Sequence, residues 1–561
     1  MKYCAHESDA TFVVPVTAPR SVIRYTATLE VSSIDVRKHR APFRRFAEGF
    51  FHLTPNSRQI SNCERSIMKR VSVFIIFMSA ALMAAACNSP SSMHDVVPNA
   101  STNLLESRHA SSSPITHIVI IMQENRSFDN LFYAFPGANT ATYGYGHGKQ
   151  YVLQPHALVN KLDPNHEHYQ FLEDYDGGKN DGWDLIITGN NGVGPCNTWT
   201  YNWVNEPNCW SFRPPSYYKL PFTYVQRSDV QPYWTMASRY TLGDDNFASN
   251  SGPSYGAHLE LVAGQIGHAD EVPSAMPWGC DAPKKPQTWE YYLRYGQAQP
   301  PVLPAIFGHS VKGRNPCFTF TSIAKKLDAA KVSWRWYKQP TPAPSESRQN
   351  SSGFNMYDSD WLDAFDSIKA VRYGPVEKNI VTPDTQVLTD IANKSLAQVS
   401  WVMPHEGASD HGGIKSGPCG PAWVTAIVNA IGKSPYWNST AIVISWDEWG
   451  GWFDHVVPPQ YPNLETGAYE GLGYRTPLII ISPYAKQHYI SHSEHETASA
   501  LHFIEETFLG PQTLGLDDAR ADYYQDVFNY SQQPTKFTKI PEPSDYQKCM
   551  SVQNPGPEID Y

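Results

Sequence analysis

The sequence predicts an α/β fold, a three-layer sandwich around a mostly parallel central sheet. First, several short apolar runs are continuous and rich in β-branched residues, as in strands buried on both faces. Second, helical patterns lie between or after these runs, which indicates parallel strands joined by crossover helices. Third, polar clusters follow the ends of two runs, where α/β sheets carry their sites. The 45 prolines and 36 glycines add loop-rich insertions to this framework.

The N-terminal part of the chain predicts processing signals. Residues 68–86 start with Met-Lys-Arg, continue as an uncharged apolar run and end in small residues, the layout of a secretory signal peptide. Because such a signal belongs at a true N-terminus, we interpret residues 1–67 as a non-native extension. Cys87 resembles a bacterial lipoprotein processing site, so it is a candidate lipid anchor to the membrane. Residues 87–114 predict a flexible tether, and the folded domain then spans residues 115–561.

Charge and cysteine content narrow the class of protein. The chain has 44 basic and 54 acidic residues, a net charge of −10; without residues 1–86 the counts are 32 and 48, a net charge of −16. A nucleic-acid binder needs basic surface, so no nucleic-acid partner is expected. Of nine cysteines, six remain in the domain after Cys87, and an even set in an exported protein predicts disulfides. Cys196 with Cys209 is the favoured local pair, and the other pairings stay open.

Five apolar runs predict the strands of the sheet, at residues 116–122, 332–337, 399–403, 441–446 and 477–482. Helical stretches are predicted at residues 322–330, 421–431 and 497–508. This alternation places the carboxyl ends of several parallel strands at one edge of the sheet.

Acidic and amide side chains follow two of these strands. Glu124 and Asn125 come after the first run, and Asp447 and Glu448 after the fourth. Carboxylate and amide oxygens suit a hard or borderline divalent cation. Taken singly, such residues are more often solvated loop residues or helix caps. Two clusters, each accompanied by glycine or aromatic residues, favour a site.

Two further segments contain a nucleophile candidate and histidines. Residues 245–258 form a polar turn of small residues before an apolar helical stretch, where a serine hydroxyl can face an electrophile. The turn lacks the Gly-x-Ser-x-Gly spacing, which counts against acyl transfer. The histidines of residues 163–168 and 409–413 could bind phosphate as cations or a metal as neutral rings.

Five motifs occur in order and carry a family resemblance: Glu124-Asn125-Arg126-Ser127-Phe128-Asp129, Gly177-Gly178-Lys179-x-Asp181-Gly182, Gly252-Pro253-Ser254, Ser409-x-His411 and Asp447-Glu448-x-Gly450-Gly451-x-x-Asp454-His455-Val456. The set resembles the bacterial phospholipase C and acid phosphatase family of phosphoesterases, from about residue 116 to residue 510. The resemblance implies an alkaline-phosphatase-like core, also similar to that of arylsulfatase.

The resemblance assigns a metal-binding role to four residues. Glu124 and Asn125 match the family's ligands from the first strand, and Asp447 and Glu448 match its acidic pair. The ligand types leave Ca, Mg, Mn and Zn open as the divalent metal ion.

The remaining site residues are also assigned by resemblance. Ser254 stands at the position of the nucleophile, and His411 and His166 match histidines that act on the phosphoryl group. His168 and His455 match substrate-binding positions.

Three departures bear on the substrate. The residues after Ser254 read Tyr-Gly-Ala-His, where the phosphatidylcholine-cleaving branch commonly has Pro-Asn-Arg. Trp449 stands where many phospholipases C have histidine. Thr497 replaces the histidine of another family position, unless His495 supplies the ring from a shifted position.

These observations predict an exported, metal-dependent phosphoesterase that works through a phosphoserine intermediate and cleaves phospholipids in the manner of phospholipase C. It would be a periplasmic or cell-surface lipoprotein, or secreted. One alternative is an acid phosphatase acting on small soluble phosphomonoesters. The other is a non-catalytic binding lipoprotein with the same fold. The oligomeric state stays open.

Overall fold

A computed structural model describes residues 113–160, 162–186, 188–189, 217–267, 269, 279–281, 288–290, 311–314, 316–339, 363–405, 407–413, 417–461 and 471–551. The predicted extension, signal peptide and lipid anchor, most of the tether, and the Cys196–Cys209 pair lie outside these residues. All described residues belong to one compact unit, Leu104–Tyr561. Among them, no helix has both the length and the apolar character that crossing a membrane requires.

The strands are β1 His117–Gln123, β2 Tyr143–Gly146, β3 Lys149–Val152, β4 Gln154–His156, β5 Asp163–Pro164, β6 Thr188–Gly189, β7 Thr223–Val225, β8 Thr241–Gly243, β9 Asn246–Phe247, β10 Thr288–Glu290, β11 Val311–Arg314, β12 Trp334–Tyr337, β13 Ile380–Val381, β14 Val399–Val402, β15 Thr440–Trp446, β16 Leu478–Ile481, β17 Tyr489–Ser491 and β18 His495–Glu496.

The α-helices are α1 Phe128–Leu131, α2 His168–Tyr175, α3 Gln231–Arg239, α4 Ser254–Ala263, α5 Ile323–Ala329, α6 Lys369–Arg372, α7 Gln386–Ala392, α8 Gly420–Gly432, α9 Thr497–Phe508, α10 Asp517–Arg520 and α11 Tyr546–Met550.

An eight-stranded sheet forms the centre of the fold, in the order β13-β12-β14-β1-β15-β16-β8-β17. The five strands from β13 to β15 run parallel, whereas β16 is antiparallel to both of its neighbours. β1 and β15, at the centre, are buried along nearly their whole length. Their continuous apolar sequences follow from this burial, since helices cover both faces of the sheet.

Alternate residues of β1 pack into two different cores, which defines the three layers. Ile118 and Ile120 pack with residues of α4, α5 and α9 on one face. Val119 and Ile121 pack with residues of α3, α7 and α8 on the other. The predicted α/β sandwich is therefore confirmed, and the five predicted strands and three predicted helices are present with ends shifted by at most two residues. The short strands β8, β13 and β17 were not predicted.

Two disulfides join described cysteines, Cys280–Cys317 and Cys419–Cys549. The second links the residue before α8 to α11 near the end of the described chain. Asn429 of α8 also exchanges two hydrogen bonds with the backbone of Ile540, at 2.8 and 3.0 Å. The predicted use of cysteines in disulfides is thus confirmed for these four, and the segment that carries Ile540 and Cys549 is fastened to α8.

Candidate active site

The parallel register of β1 and β15 brings two acidic clusters to one edge of the sheet. Gln123 pairs with Trp446 at the carboxyl ends of the two strands, so Glu124 and Asp447 emerge side by side. The Asp447 N–H donates to the Gln123 carbonyl at 3.0 Å, and the Asn125 N–H donates to Asp447 Oδ1 at 2.9 Å. The predicted convergence of the two clusters is therefore present.

Ser254 begins helix α4 and faces the same edge. Pro253 precedes it in an extended conformation, and the serine is fully buried. The Ser254 hydroxyl lies 3.4 Å from Glu124 Oε2 and 3.4 Å from Asn125 Oδ1. The helix N-terminus also places partial positive charge near this hydroxyl, which favours a negatively charged oxygen there.

His258 is a site residue that the sequence reasoning missed. It lies one helical turn after Ser254, and residues four apart share a face of a helix. Its Nε2 atom is 3.3 Å from Glu124 Oε1 and 3.9 Å from Asp447 Oδ2. The i, i+4 spacing between Ser254 and His258 could have indicated that both residues lie on one helix face. That inference requires knowing that a helix begins at Ser254.

Glu124, His258 and Asp447 form a buried group whose potential ligand atoms all lie within 4.8 Å of one another. Asp447 Oδ2 is buried and has no hydrogen-bond partner among the described residues. A carboxylate oxygen in that situation is costly unless a cation or a proton is near it. Two carboxylates and an imidazole are suitable ligands for a divalent metal ion, so the residues present fit such a group.

Glu448 points away from this group, toward His166. Its Oε2 atom accepts a hydrogen bond from the Gly450 N–H at 2.8 Å, and its Oε1 atom is 3.8 Å from His166 Nε2. Gly450 has φ +63°, and a Cβ atom there would collide with the Asn125 backbone. Only glycine fits a position with both constraints, which explains the glycine of this motif.

His166 orients the amide of Asn125. Its Nδ1–H donates to the Pro164 carbonyl at 2.8 Å, so in the neutral ring Nε2 is an acceptor. Nε2 lies 2.9 Å from Asn125 Nδ2, and this donor contact turns the amide oxygen toward Ser254. His166 therefore supports the site through Asn125, a contact that the sequence could not specify.

His411 lies beside His166, with ring centroids 5.6 Å apart. Its Nδ1–H donates to the Gly412 carbonyl at 2.5 Å, which makes Nε2 the nitrogen that can exchange a proton. Asp163, His166 and His411 form a second group with ligand atoms within 4.8 Å. The two predicted catalytic histidines are thus neighbours.

Buried charges hold the His411 loop in place. The Arg126 guanidinium donates to the Asp410 carbonyl at 2.8 Å and to the Leu158 carbonyl at 2.9 Å. Asp410 Oδ2 accepts hydrogen bonds from Tyr233 and Trp446 at 2.9 and 3.1 Å. Burial raises the pKa of Asp410 to about 6, against the opposing effect of Arg126. Burial lowers the pKa of Arg126 to about 10, although the Asp410 charge counteracts this.

His168 and His455, the two predicted substrate-binding histidines, contact Ser251 and Asp129. His168 Nδ1 lies 3.2 Å from the Ser251 carbonyl, in the turn before Ser254, and burial lowers the pKa of His168 to about 4. His455 Nδ1 lies 2.6 Å from Asp129 Oδ2. Burial lowers the pKa of His455, but the hydrogen bond and charge of Asp129 outweigh it and raise the pKa above its usual value. Arg475 joins this ion cluster through Asp454 at 2.8 Å.

The unusual residues at two family positions have structural partners. Trp449 is fully buried and packs against Phe171 and Tyr474. His495 contacts Asp522 at 2.9 Å and Ser491 at 2.8 Å. His495 therefore belongs to a separate polar cluster and does not stand in for a histidine at position 497.

Comparisons with known proteins show which family this chain belongs to. A sequence model of the Phosphoesterase family matches residues 115–509. Phospholipase C A of Mycobacterium tuberculosis is 26% identical over 422 residues, which cover 70% of this chain and 73% of that protein. Non-hemolytic phospholipase C of Burkholderia pseudomallei is 25% identical, over 77% of this chain and 61% of that protein. Hemolytic phospholipase C of Pseudomonas aeruginosa is 24% identical, over 70% and 53%.

A solved structure, that of Ps i-CgsB with a neocarrahexaose, aligns over 73% of this chain and 76% of that chain with a TM-score of 0.32 and 8% identity. The family match and these relatives together define a phosphoric ester hydrolase. The chain belongs to the Phosphoesterase family.

Proposed function

We propose that this protein is an exported, metal-dependent phosphoesterase that cleaves phospholipids by a phospholipase C-type reaction. The single observation that carries the proposal is the Ser254 hydroxyl at 3.4 Å from Glu124, a member of the buried carboxylate–histidine group. The names of the aligned relatives support a phospholipid as the substrate. An acid phosphatase acting on soluble phosphomonoesters is the second candidate, favoured by the Tyr-Gly-Ala-His sequence after Ser254.

Glu124, His258 and Asp447 would hold the metal ion, with Asn125 Oδ1 as a further oxygen ligand. Glu448 would act next to this set, since its Oε1 atom lies 3.8 Å from His166 Nε2. The ligand types of this set, carboxylate, amide and imidazole, are compatible with Ca, Mg, Mn and Zn. When bound, a divalent cation lowers the pKa of a neighbouring hydroxyl and stabilises negative charge on phosphate oxygens.

The protein's own residues then perform the transfer in two steps. The cycle starts with Ser254 as an alkoxide and His411 as an imidazolium, the serine proton having passed to solvent. Ser254 Oγ forms a bond to phosphorus while the bond from phosphorus to the leaving oxygen breaks. His411 Nε2 gives a proton to that leaving oxygen. In the second step water attacks the phosphoserine, His411 Nε2 takes the water proton, and the bond between Ser254 Oγ and phosphorus breaks. His166 holds the Asn125 amide throughout, through its 2.9 Å contact.

Export and a membrane anchor are part of the proposal. The layout of residues 68–87 supports a signal peptide with Cys87 as a lipid-attachment site. The disulfides Cys280–Cys317 and Cys419–Cys549 support an oxidising compartment, because such bonds persist mainly outside the cytoplasm.

The test compares p-nitrophenyl phosphorylcholine with p-nitrophenyl phosphate, with and without EDTA. Faster, EDTA-sensitive cleavage of the diester supports phospholipase C, and faster cleavage of the monoester supports acid phosphatase. Ser254→Ala should abolish turnover and leave the melting temperature nearly unchanged. The matched control is Ser249→Ala in the same turn, which should stay active. A folded protein without turnover on either ester would instead be a binding protein.

A further inference from the structure

The loops that follow β1 and β15 are fastened to each other at both ends. Where they leave the sheet, the Asn125 N–H donates to Asp447 Oδ1 at 2.9 Å. At their far ends, the Asp129 N–H donates to Asp454 Oδ2 at 3.2 Å, and the His455 N–H donates to Asp129 Oδ2 at 2.9 Å. The far contacts therefore help to set how the candidate metal ligands of one loop stand relative to those of the other.

Both ring nitrogens of His455 face oxygen atoms. Nδ1 lies 2.6 Å from Asp129 Oδ2, and Nε2 lies 3.0 Å from Asn139 Oδ1. A neutral imidazole has one N–H group and can donate to only one of these two acceptors. An imidazolium donates to both, so the geometry favours the protonated ring.

The charges of the buried group favour the same proton. Asp129, Asp454 and Arg475 are fully buried. Arg475 donates to Asp454 Oδ1 at 2.8 Å and lies 3.7 Å from Asp129 Oδ1, so it bridges the two carboxylates. Two carboxylates and one guanidinium leave one negative charge unbalanced, and a proton on His455 neutralises it. A divalent metal ion would instead meet the like charge of Arg475 at this place.

Two more carboxylates lie behind Arg475. The guanidinium donates to the Asp244 carbonyl, and the Asp244 carboxylate lies 2.8 Å from His492 Nδ1. Asp245 also interacts electrostatically with Arg475. These charges add to the negative potential around His455, which again favours its cationic form.

The proton on His455 persists above the ordinary range of a histidine. Burial lowers the pKa of His455, but the hydrogen bond and charge of Asp129, with the charge of Asp454, outweigh burial and Arg475 and raise the pKa above 6.5. The side chain is 26% exposed, so the ring can exchange its proton with solvent. The stabilisation from this pair is complete below pH 6.5 and is lost as the pH rises through the folded-state pKa.

We propose that the His455 imidazolium is a positioning residue of the active site, which locks the loop of Asp447 onto the loop of Glu124 and Asn125. It acts on turnover through the placement of these ligands, a role distinct from the substrate binding that the family resemblance assigns to it. Loss of its proton leaves the buried Asp129 charge unbalanced and loosens the far ends of both loops. The inference rests on the proposed phosphoesterase function and adds a proton that the same site requires.

The test compares kcat of wild type and His455→Gln between pH 6 and pH 9, at saturating metal ion, on whichever p-nitrophenyl ester wild type cleaves. Wild type should be about tenfold faster at pH 6, the scale of a small misplacement of site residues. This ratio should fall toward one as the pH rises above 6.5. The titration of His411 is common to both proteins and cancels in the ratio. His492→Gln removes the imidazole of the neighbouring pair with Asp244 and should match wild type at every pH.

Asn139→Asp gives a second, signed test. Asn139 is exposed, so the substitution should leave the fold intact. A carboxylate beside Nε2 favours the imidazolium, so in this background the loss of the His455 effect should move to higher pH. A wild-type to His455→Gln ratio that does not change with pH would overturn the proposal. So would an effect of His455→Gln on KM alone, which is the result expected of direct substrate binding.

Urea unfolding provides a measurement that does not depend on turnover. The unfolding midpoint of His455→Gln should lie below that of wild type at pH 6, and the difference should disappear as the pH rises through the folded-state pKa of His455. A pH-independent difference, or none at pH 6, would overturn the protonated pair. A wild-type protein that cleaves neither ester would fail the proposed function, which is a separate result.

Discussion

Chelation of the proposed metal ion should lower the thermal stability of the protein by an amount set by the buried acidic pair. Glu124 and Asp447 contribute oxygen atoms within 4.8 Å of each other, and both side chains are fully buried. Two like charges at that distance repel by about 3.5 kcal/mol at an effective dielectric constant of about 20. A folded domain of roughly 450 residues has an unfolding entropy near 1 kcal/mol/K, so this repulsion lowers Tm by about 4 °C.

The assay is differential scanning fluorimetry of protein dialysed against EDTA and then titrated with Ca, Mg, Mn or Zn. Asp447→Asn removes one of the two charges, so chelation should shift its Tm by much less than it shifts wild type. Asp522→Asn is the control, because the half-buried Asp522 pairs with the buried His495 in a different group. It should keep the full chelation shift. An unchanged Tm of wild type after chelation, or equal shifts in wild type and Asp447→Asn, would refute the reasoning.

Three other changes have defined expected outcomes. Acid quenching during turnover of labelled ester should trap phosphate on Ser254 in wild type and leave Ser254→Ala unlabelled; label on the Ala variant would reject the nucleophile. Gly450→Ala should cost about 1–3 kcal/mol in urea unfolding, since φ +63° and the Asn125 backbone exclude a Cβ atom; wild-type stability would contradict this. Burial, together with the Asp518 carboxylate, raises the pKa of Glu505 from 4.5 to about 9. Between these pH values the folded protein keeps a proton that the unfolded chain releases. The free energy of unfolding therefore falls as the pH rises through this range. Glu505→Gln should therefore have a higher Tm than wild type at pH 8 and an equal one at pH 4.5, and a pH-independent difference would contradict this assignment.

The strands that could be predicted are those whose sequence alone requires burial on both faces. β1 and β15 are continuous apolar runs, and their parallel ends bring Glu124 and Asp447 together as expected. β8 has only three residues, Thr241–Gly243, which are too few to show a hydrophobic period in the sequence. It exists because β16 and β17 pair with it, which is tertiary information.

The sequence predicts the site residues that belong to a motif after a strand end. It does not predict a residue whose role depends on its tertiary contacts. His258 joins the carboxylates only because α4 begins at Ser254 and turns both residues to one face. His166 is predicted to act on the phosphoryl group, and its contacts with Pro164 and Asn125 add a second role, the orientation of an amide, that the sequence did not indicate. No spacing in the sequence encodes which nitrogen of an imidazole faces which neighbour.

The fastening of the last described segment to α8 has a consequence for protein engineering. The family match stops at residue 509, so the later residues resemble a dispensable tail. Yet Cys549 is bonded to Cys419, and Ile540 shares two hydrogen bonds with Asn429. A chain truncated at residue 509 would lack Cys549 and Ile540. Cys419, eight residues after His411, would then be a free thiol, and α8 would lose the segment that packs against it. Expression studies should therefore keep the chain at least through Cys549.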